Sequence, residues 1–100
     1  MSASTLELLG CSIEEFKSHL ESQFKDGMSW DNRGYYGWHI DHIIPCASFD
    51  LSNPAHQRAC FNWRNLQPMW RLENQTKSNE TPVGISIGEF VAEFEDGRVA

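Results

Sequence analysis

The sequence contains no Cys-x-x-Cys pair. Its three cysteines, Cys11, Cys46 and Cys60, are odd in number and far apart. That argues against a disulfide framework and against a structural zinc site, so each reads as a small buried hydrophobe. No apolar run approaches the ~20 residues that a membrane span needs, and Met1-Ser2-Ala3-Ser4-Thr5 does not have the pattern of a signal peptide. The chain is therefore expected in the cytoplasm, with no membrane partner. Repeats, low-complexity tracts and interdomain linkers are absent too. Basic residues are few: eight Lys and Arg against fourteen Asp and Glu, for a net charge of −6. Such a chain lacks the broad basic surface that supplies sequence-independent phosphate affinity.

What is present is unevenly distributed. Residues 1–35 carry six acids and three bases, and residues 80–100 carry five acids and one base. The middle, 36–79, has Asp41, Asp50 and Glu73 against Arg58, Arg64, Arg71 and Lys77, the one stretch with a positive balance. A local basic face on an acidic body follows, and tight binding to nucleic acid then calls for a protein partner or a homodimer. One hundred residues make a single small domain, which buries roughly 60–65% of its unfolded surface.

In chain order, Thr5 to Gly10 predicts a short helical turn with a hydroxyl cap and a glycine stop. Ser12-Ile13-Glu14-Glu15 is a capping box, and Ile13, Phe16, Leu20 and Phe24 form one apolar stripe of a helix running to about Phe24. His19 lies off that stripe and reads as solvated. Gly27 to Tyr36 is a turn-rich loop that also carries Trp30, Tyr35 and Tyr36; rings in such a loop pack against the body or, for the tyrosines, stack on bases. Gly37 to Ile44 is the first strand. Asn53-Pro54 opens a helix through Ala55, Arg58 and Ala59, with His56 on its exposed side. Leu66 to Trp70 is a second strand whose Pro68 suits an edge. Arg71 to Asn79 is a polar helix, with Asn74 and Ser78 one turn apart. Ser86 caps a last helix from about Ile87 to Glu95. The fold class is α+β: a core at 37–79 between a helical and loop extension at 1–36 and a C-terminal helix at 80–100.

The chemistry concentrates in His39-Ile40-Asp41-His42-Ile43-Ile44-Pro45. Asp41 offers a hard oxygen ligand, and His42 offers a base that titrates near neutral pH. Strict strand alternation sends these two side chains to opposite faces unless the strand twists, bulges or opens there. Asn65 follows, and Asn74 comes nine residues after it. This ordered set resembles the HNH endonucleases, the ββα-metal superfamily, in the variant whose third letter is Asn. The resemblance covers Trp38 to Asn79 and extends weakly through Leu8 to Ser12 and Gly27 to Asn32. Together these segments look like the small HNH proteins of bacteriophages and large DNA viruses, and that resemblance implies a virus-encoded protein in a host cytoplasm.

The resemblance implies a ββα-metal core that hydrolyses DNA phosphodiester bonds. His42 is then the general base, Asp41 and Asn74 hold one Mg²⁺ or Mn²⁺, and Asn65 braces the loop that carries the base. His39 and Ser78 are further candidates to bind the metal or orient the site. Arg58, Arg64, Arg71 and Lys77 are candidates to contact phosphates. Many relatives of this kind carry zinc-binding cysteine pairs; here Trp70 and Glu73 stand where one pair would fall, which implies packing in place of zinc. The competing readings are a catalytically idle module of the same fold that binds DNA or protein, and a nuclease acting on RNA.

Overall fold

The computed structural model describes residues 7–77 and 81–95. It is a small α+β chain with one two-stranded antiparallel sheet and several helices. In order these are helix α1 (Ile13–Glu21), strand β1 (Trp38–His42), helix α2 (Pro54–Phe61), strand β2 (Leu66–Trp70), helix α3 (Arg71–Thr76) and helix α4 (Ile87–Ala92), with 3₁₀ turns at Trp30–Asn32, Cys46–Ser48 and Trp63–Asn65. Among the described residues, no helix is long and apolar enough to cross a membrane.

The local chemistry behind these elements is plain. Ser12 Oγ accepts from Glu15 N–H at 3.0 Å while Glu15 accepts from Ser12 N–H at 3.1 Å, so each satisfies a free amide at the start of α1. The helix closes at Glu21, short of Phe24, because the next amides bond three residues back, Gln23 to Leu20 and Phe24 to Glu21. Phe24 still packs inward from that turn. Asn53 Oδ1 accepts from Ala55 N–H, and Pro54, which has no N–H to lose, starts α2. Ser86 Oγ accepts from Glu89 N–H to begin α4, which ends at Ala92 rather than near Glu95.

Two apolar clusters organise the packing, and β1 runs from one toward the other. Leu20, Met28 and Trp38 form the first, backed by Phe16, Phe24, Trp30 and Trp70. Ile44, Phe49, Ala55, Ala59, Cys60, Val91 and Phe94 form the second. Trp38, at the start of β1, is fully buried and donates its indole N–H to Ser29 O at 2.7 Å. Ile44, two residues past the end of β1, belongs to the other cluster. The register pairs Trp38 with Trp70, Ile40 with Pro68, Asp41 with Gln67 and His42 with Leu66. In a sheet of two strands both are edges, which is why Pro68 is tolerated.

The start of α3 is pinned from the N-terminal side. Lys25 Nζ donates to both Glu73 oxygens at 2.8 and 2.9 Å, and Trp70 packs on the first cluster with its ring near Gly27. His19 corrects the expectation of a solvated residue: its Nε2 lies 2.9 Å from Leu66 O, and its ring meets Trp63 edge-on at 5.0 Å. It ties α1 to β2. Gly37 is not a strand residue but a point of close approach, since a Cβ there would lie 1.6 Å from Asn32 O.

Two expectations follow. Gly37→Ala forces backbone apart and should cost at least the ~1–3 kcal/mol of an overpacked site, whereas Gly88→Ala, in α4 with open space around it, should gain about 0.5–1 kcal/mol. Chemical denaturation of both variants checks this; equal stabilities would refute the packing account. Lys25 holds the Glu73 carboxyl below the usual carboxylate range. Stability from this pair is thus present above the unfolded value and lost as pH falls through the lowered one. Glu73→Gln should melt below the wild type at pH 7, with the gap closing in acid.

Candidate functional site

Asp41 and His42 are the last two residues of β1, and their side chains leave it in different directions, as alternation demands. Asp41 points toward its cross-strand partner and α3. Its Oδ2 accepts from Gln67 Nε2 at 3.1 Å and pairs with Lys77 Nζ at 2.9 Å, with 11% of the side chain exposed. His42 points toward α2, where its ring meets Phe61 edge-on at 5.4 Å and its Nδ1 lies 3.0 Å from Cys60 O. A carbonyl only accepts, so Nδ1 carries the hydrogen in that bond. In the neutral ring Nε2 is then left with a free lone pair.

Asn65 is the buried hinge of this arrangement, 2% exposed. Its Oδ1 accepts from Ile44 N–H at 2.8 Å, and its Nδ2 donates to Ile44 O at 3.1 Å and to Cys60 O at 3.0 Å. One amide thereby fixes the chain just past β1 and holds the carbonyl that orients His42. Asn65 reaches this place because the 3₁₀ turn Trp63–Asn65, capped by Asn62 Oδ1 on Arg64 N–H, presents it inward before β2 begins.

Asn74 is half-buried on α3, the helix that packs on both strands, and its amide makes no hydrogen bond to another described residue. Ser78 lies outside the described residues. His39 Nε2 is 3.1 Å from Tyr35 O, which fastens the preceding loop to β1. Asp41 and His42 thus close β1, Asn74 lies on the helix packed against both strands, and the three side chains make no direct hydrogen bonds to one another.

The four candidate phosphate contacts are all engaged within the chain. Arg58 donates through Nε and Nη2 to Phe94 O, at 3.0 Å for Nε, which satisfies a carbonyl after α4. Arg64 spreads over the Phe90 and Phe94 rings and pairs with Glu93 at 3.2 Å. Arg71 lies 4.3 Å from the centroid of Tyr35 and 5.2 Å from that of Tyr36. Lys77 bonds Asp41 Oδ2 and also the His42 carbonyl. The expectation of a free basic face is therefore reduced: Arg58 and Arg64 turn toward α4, because that helix offers an open carbonyl, an acid and two rings. Tyr35 and Tyr36, 65% and 85% exposed, stay at the surface with their rings edge to face.

Sequence spacing missed one feature entirely. Cys46 Sγ and Cys60 Sγ are 3.3 Å apart, and Cys60 Sγ is 3.8 Å from His42 Nδ1. Fourteen residues separate the two cysteines, so no short motif announces the pair. Burial, with the contact to Cys46, pushes the Cys60 thiol far above its ordinary value. The third cysteine, Cys11, stands apart from this group.

No family model matches the chain, and no solved structure matches it. The chain is similar to two uncharacterized proteins of Acanthamoeba polyphaga mimivirus. One is 47% identical over 74 residues, which is 74% of this chain and 32% of the relative. The other is 40% identical over 77 residues, 77% of this chain and 34% of the relative. The chain spans about a third of the length of the curated relatives it matches.

Proposed function

We propose that the chain is a metal-dependent endonuclease of the HNH type that hydrolyses DNA phosphodiester bonds in the cytoplasm of a host. The observation that carries this reading is the linkage Asn65–Cys60 O–His42, which leaves Nε2 as a free base on the residue that follows Asp41 in the chain. Two antiparallel strands joined by a long excursion and followed at once by α3 support a ββα-metal core, again as a proposal.

The oxygen groups fit a hard cation. Lys77 places a positive charge between a carboxylate oxygen of Asp41 and the carbonyl of His42, so this spot already stabilises a cation. Asn74 adds an amide oxygen from α3, one turn before Lys77. Asp41 and Asn74 would hold Mg²⁺ or Mn²⁺, which oxygen donors favour over softer ions. When bound, such an ion supplies positive charge to the scissile phosphate and the leaving oxygen. His42 Nε2 takes the proton from the attacking water. Asn65 and Cys60 O keep the ring oriented while it does so. Lys77, released from Asp41 by the incoming ion, becomes available to a phosphate. With Arg58 and Arg64 committed to α4, affinity for DNA is weak in the single chain, and a partner protein or a second copy supplies the rest.

Supercoiled plasmid with and without Mg²⁺ or Mn²⁺ tests the activity. His42→Ala should cut at least ~10²–10⁴-fold more slowly and keep its Mn²⁺ affinity. Asp41→Ala and Asn74→Ala should lose both cutting and Mn²⁺ binding. A His42→Ala variant that loses the metal would make His42 a ligand rather than the base.

One observation favours an idle binding module instead: Asp41 is already neutralised by Lys77. The two readings part on Lys77→Met. Removing one partner of a fully buried pair costs ~3–5 kcal/mol, and the loss at this partly exposed pair should be smaller. In a nuclease, Mn²⁺ should restore the lost melting temperature by taking the place of the ammonium. In an idle module, the loss should persist at any Mn²⁺ concentration.

A further inference from the structure

We propose that His42 Nδ1, Cys46 Sγ and Cys60 Sγ form a binding site for a thiophilic divalent ion, Zn²⁺ above all, and that its occupancy silences His42. One donor atom from each residue lies within 4.8 Å of the others. Zinc bonds of ~2.3 Å to sulfur and ~2.0–2.1 Å to nitrogen place the donors of a tetrahedral site about 3.5–3.8 Å apart. The observed 3.3 Å between the sulfurs and 3.8 Å between Cys60 Sγ and His42 Nδ1 need only small adjustments. Cys60 is fully buried, while Cys46 and His42 are half-buried, so an ion has a route in from their side. Three protein donors leave a fourth position for water.

A coordinated ion displaces the proton from each sulfur, and the two thiols release two protons as they become ligands. The imidazole beside them has no part in a disulfide but completes a Cys₂His set. The site differs from the oxygen groups around Asp41 in donor type, so the two sort ions by softness.

The consequence for His42 rests on the nuclease reading; the binding does not. An ion on Nδ1 breaks the bond to Cys60 O. The neutral ring then carries its one hydrogen on Nε2, the atom that must be free to accept a proton. Zn²⁺ should therefore stop a reaction that Mg²⁺ or Mn²⁺ supports.

The test is titration of the freshly reduced full chain with Co²⁺, a coloured substitute for Zn²⁺. The expected result is a thiolate-to-cobalt absorption band that saturates at one equivalent and disappears when Zn²⁺ is added. Cys46→Ala should lose the band, and because Cys46 is half-buried this variant should keep its fold, as circular dichroism would verify. Cys11→Ala and Asp41→Ala should retain the band. A wild type without it, a band that survives Cys46→Ala, or a Cys46–Cys60 disulfide formed in place of ion binding each overturns the site. If plasmid is cut, one equivalent of Zn²⁺ should abolish cutting by the wild type but not by Cys46→Ala. Cutting that continues with the band saturated overturns the silencing. A chain that cuts nothing refutes the nuclease reading while leaving the cobalt result to judge the site.

Discussion

The carbonyl of Cys60 accepts two hydrogen bonds, from His42 Nδ1 and from Asn65 Nδ2, and the geometry of the site depends on it. The carbonyl stands at the end of α2, where intrahelical partners run out and acceptors must be satisfied otherwise. Satisfying it with two side chains joins three separate segments: the end of β1, the end of α2 and the turn before β2. Asn65 then binds both backbone groups of Ile44, so the chain leaving β1 has one path. Three short segments without a large core of their own are thereby held by one buried amide, and losing it would strand several polar groups at about 1–3 kcal/mol each.

This explains which parts of the fold were legible in the sequence. Capping chemistry is local, so the starts of α1 at Ser12, α2 at Asn53-Pro54 and α4 at Ser86 could be read from a few residues each. So could β2, from Leu66 to Trp70. Helix ends were less legible. The stripe that suggests helix through Phe24 persists into a turn, from which Phe24 still packs on the first cluster. His19 shows the same limit for side chains. Its partner Leu66 is 47 residues away, and nothing on its own helix marks it as anchored.

The basic residues illustrate a different limit. A count of Arg and Lys says how much positive charge the middle segment holds but not where it points. Arg58 and Arg64 are drawn to the end of α4, since an unsatisfied carbonyl, an acid and two aromatic faces outcompete solvent for a guanidinium. Lys77 is drawn to the half-buried carboxylate of Asp41. The ordered set Asp41-His42, Asn65 and Asn74 was visible because it depends on residue identity and order. Its arrangement was not, because alternation along β1 sends Asp41 and His42 to different neighbours.

That divergence gives the end of β1 two chemically distinct sides. On one, oxygens of Asp41 and the His42 backbone gather around the ammonium of Lys77, a hard environment that stabilises a compact positive charge. On the other, the His42 ring meets two sulfurs and a carbonyl, a soft and largely apolar environment. A single residue contributes its backbone to the first and its imidazole to the second. Under the nuclease reading, the cation that assists cleavage and the ion that prevents it would compete for the state of His42 without sharing a ligand atom. What decides between them is the partner of Nδ1: the Cys60 carbonyl keeps Nε2 free, and a soft ion does not.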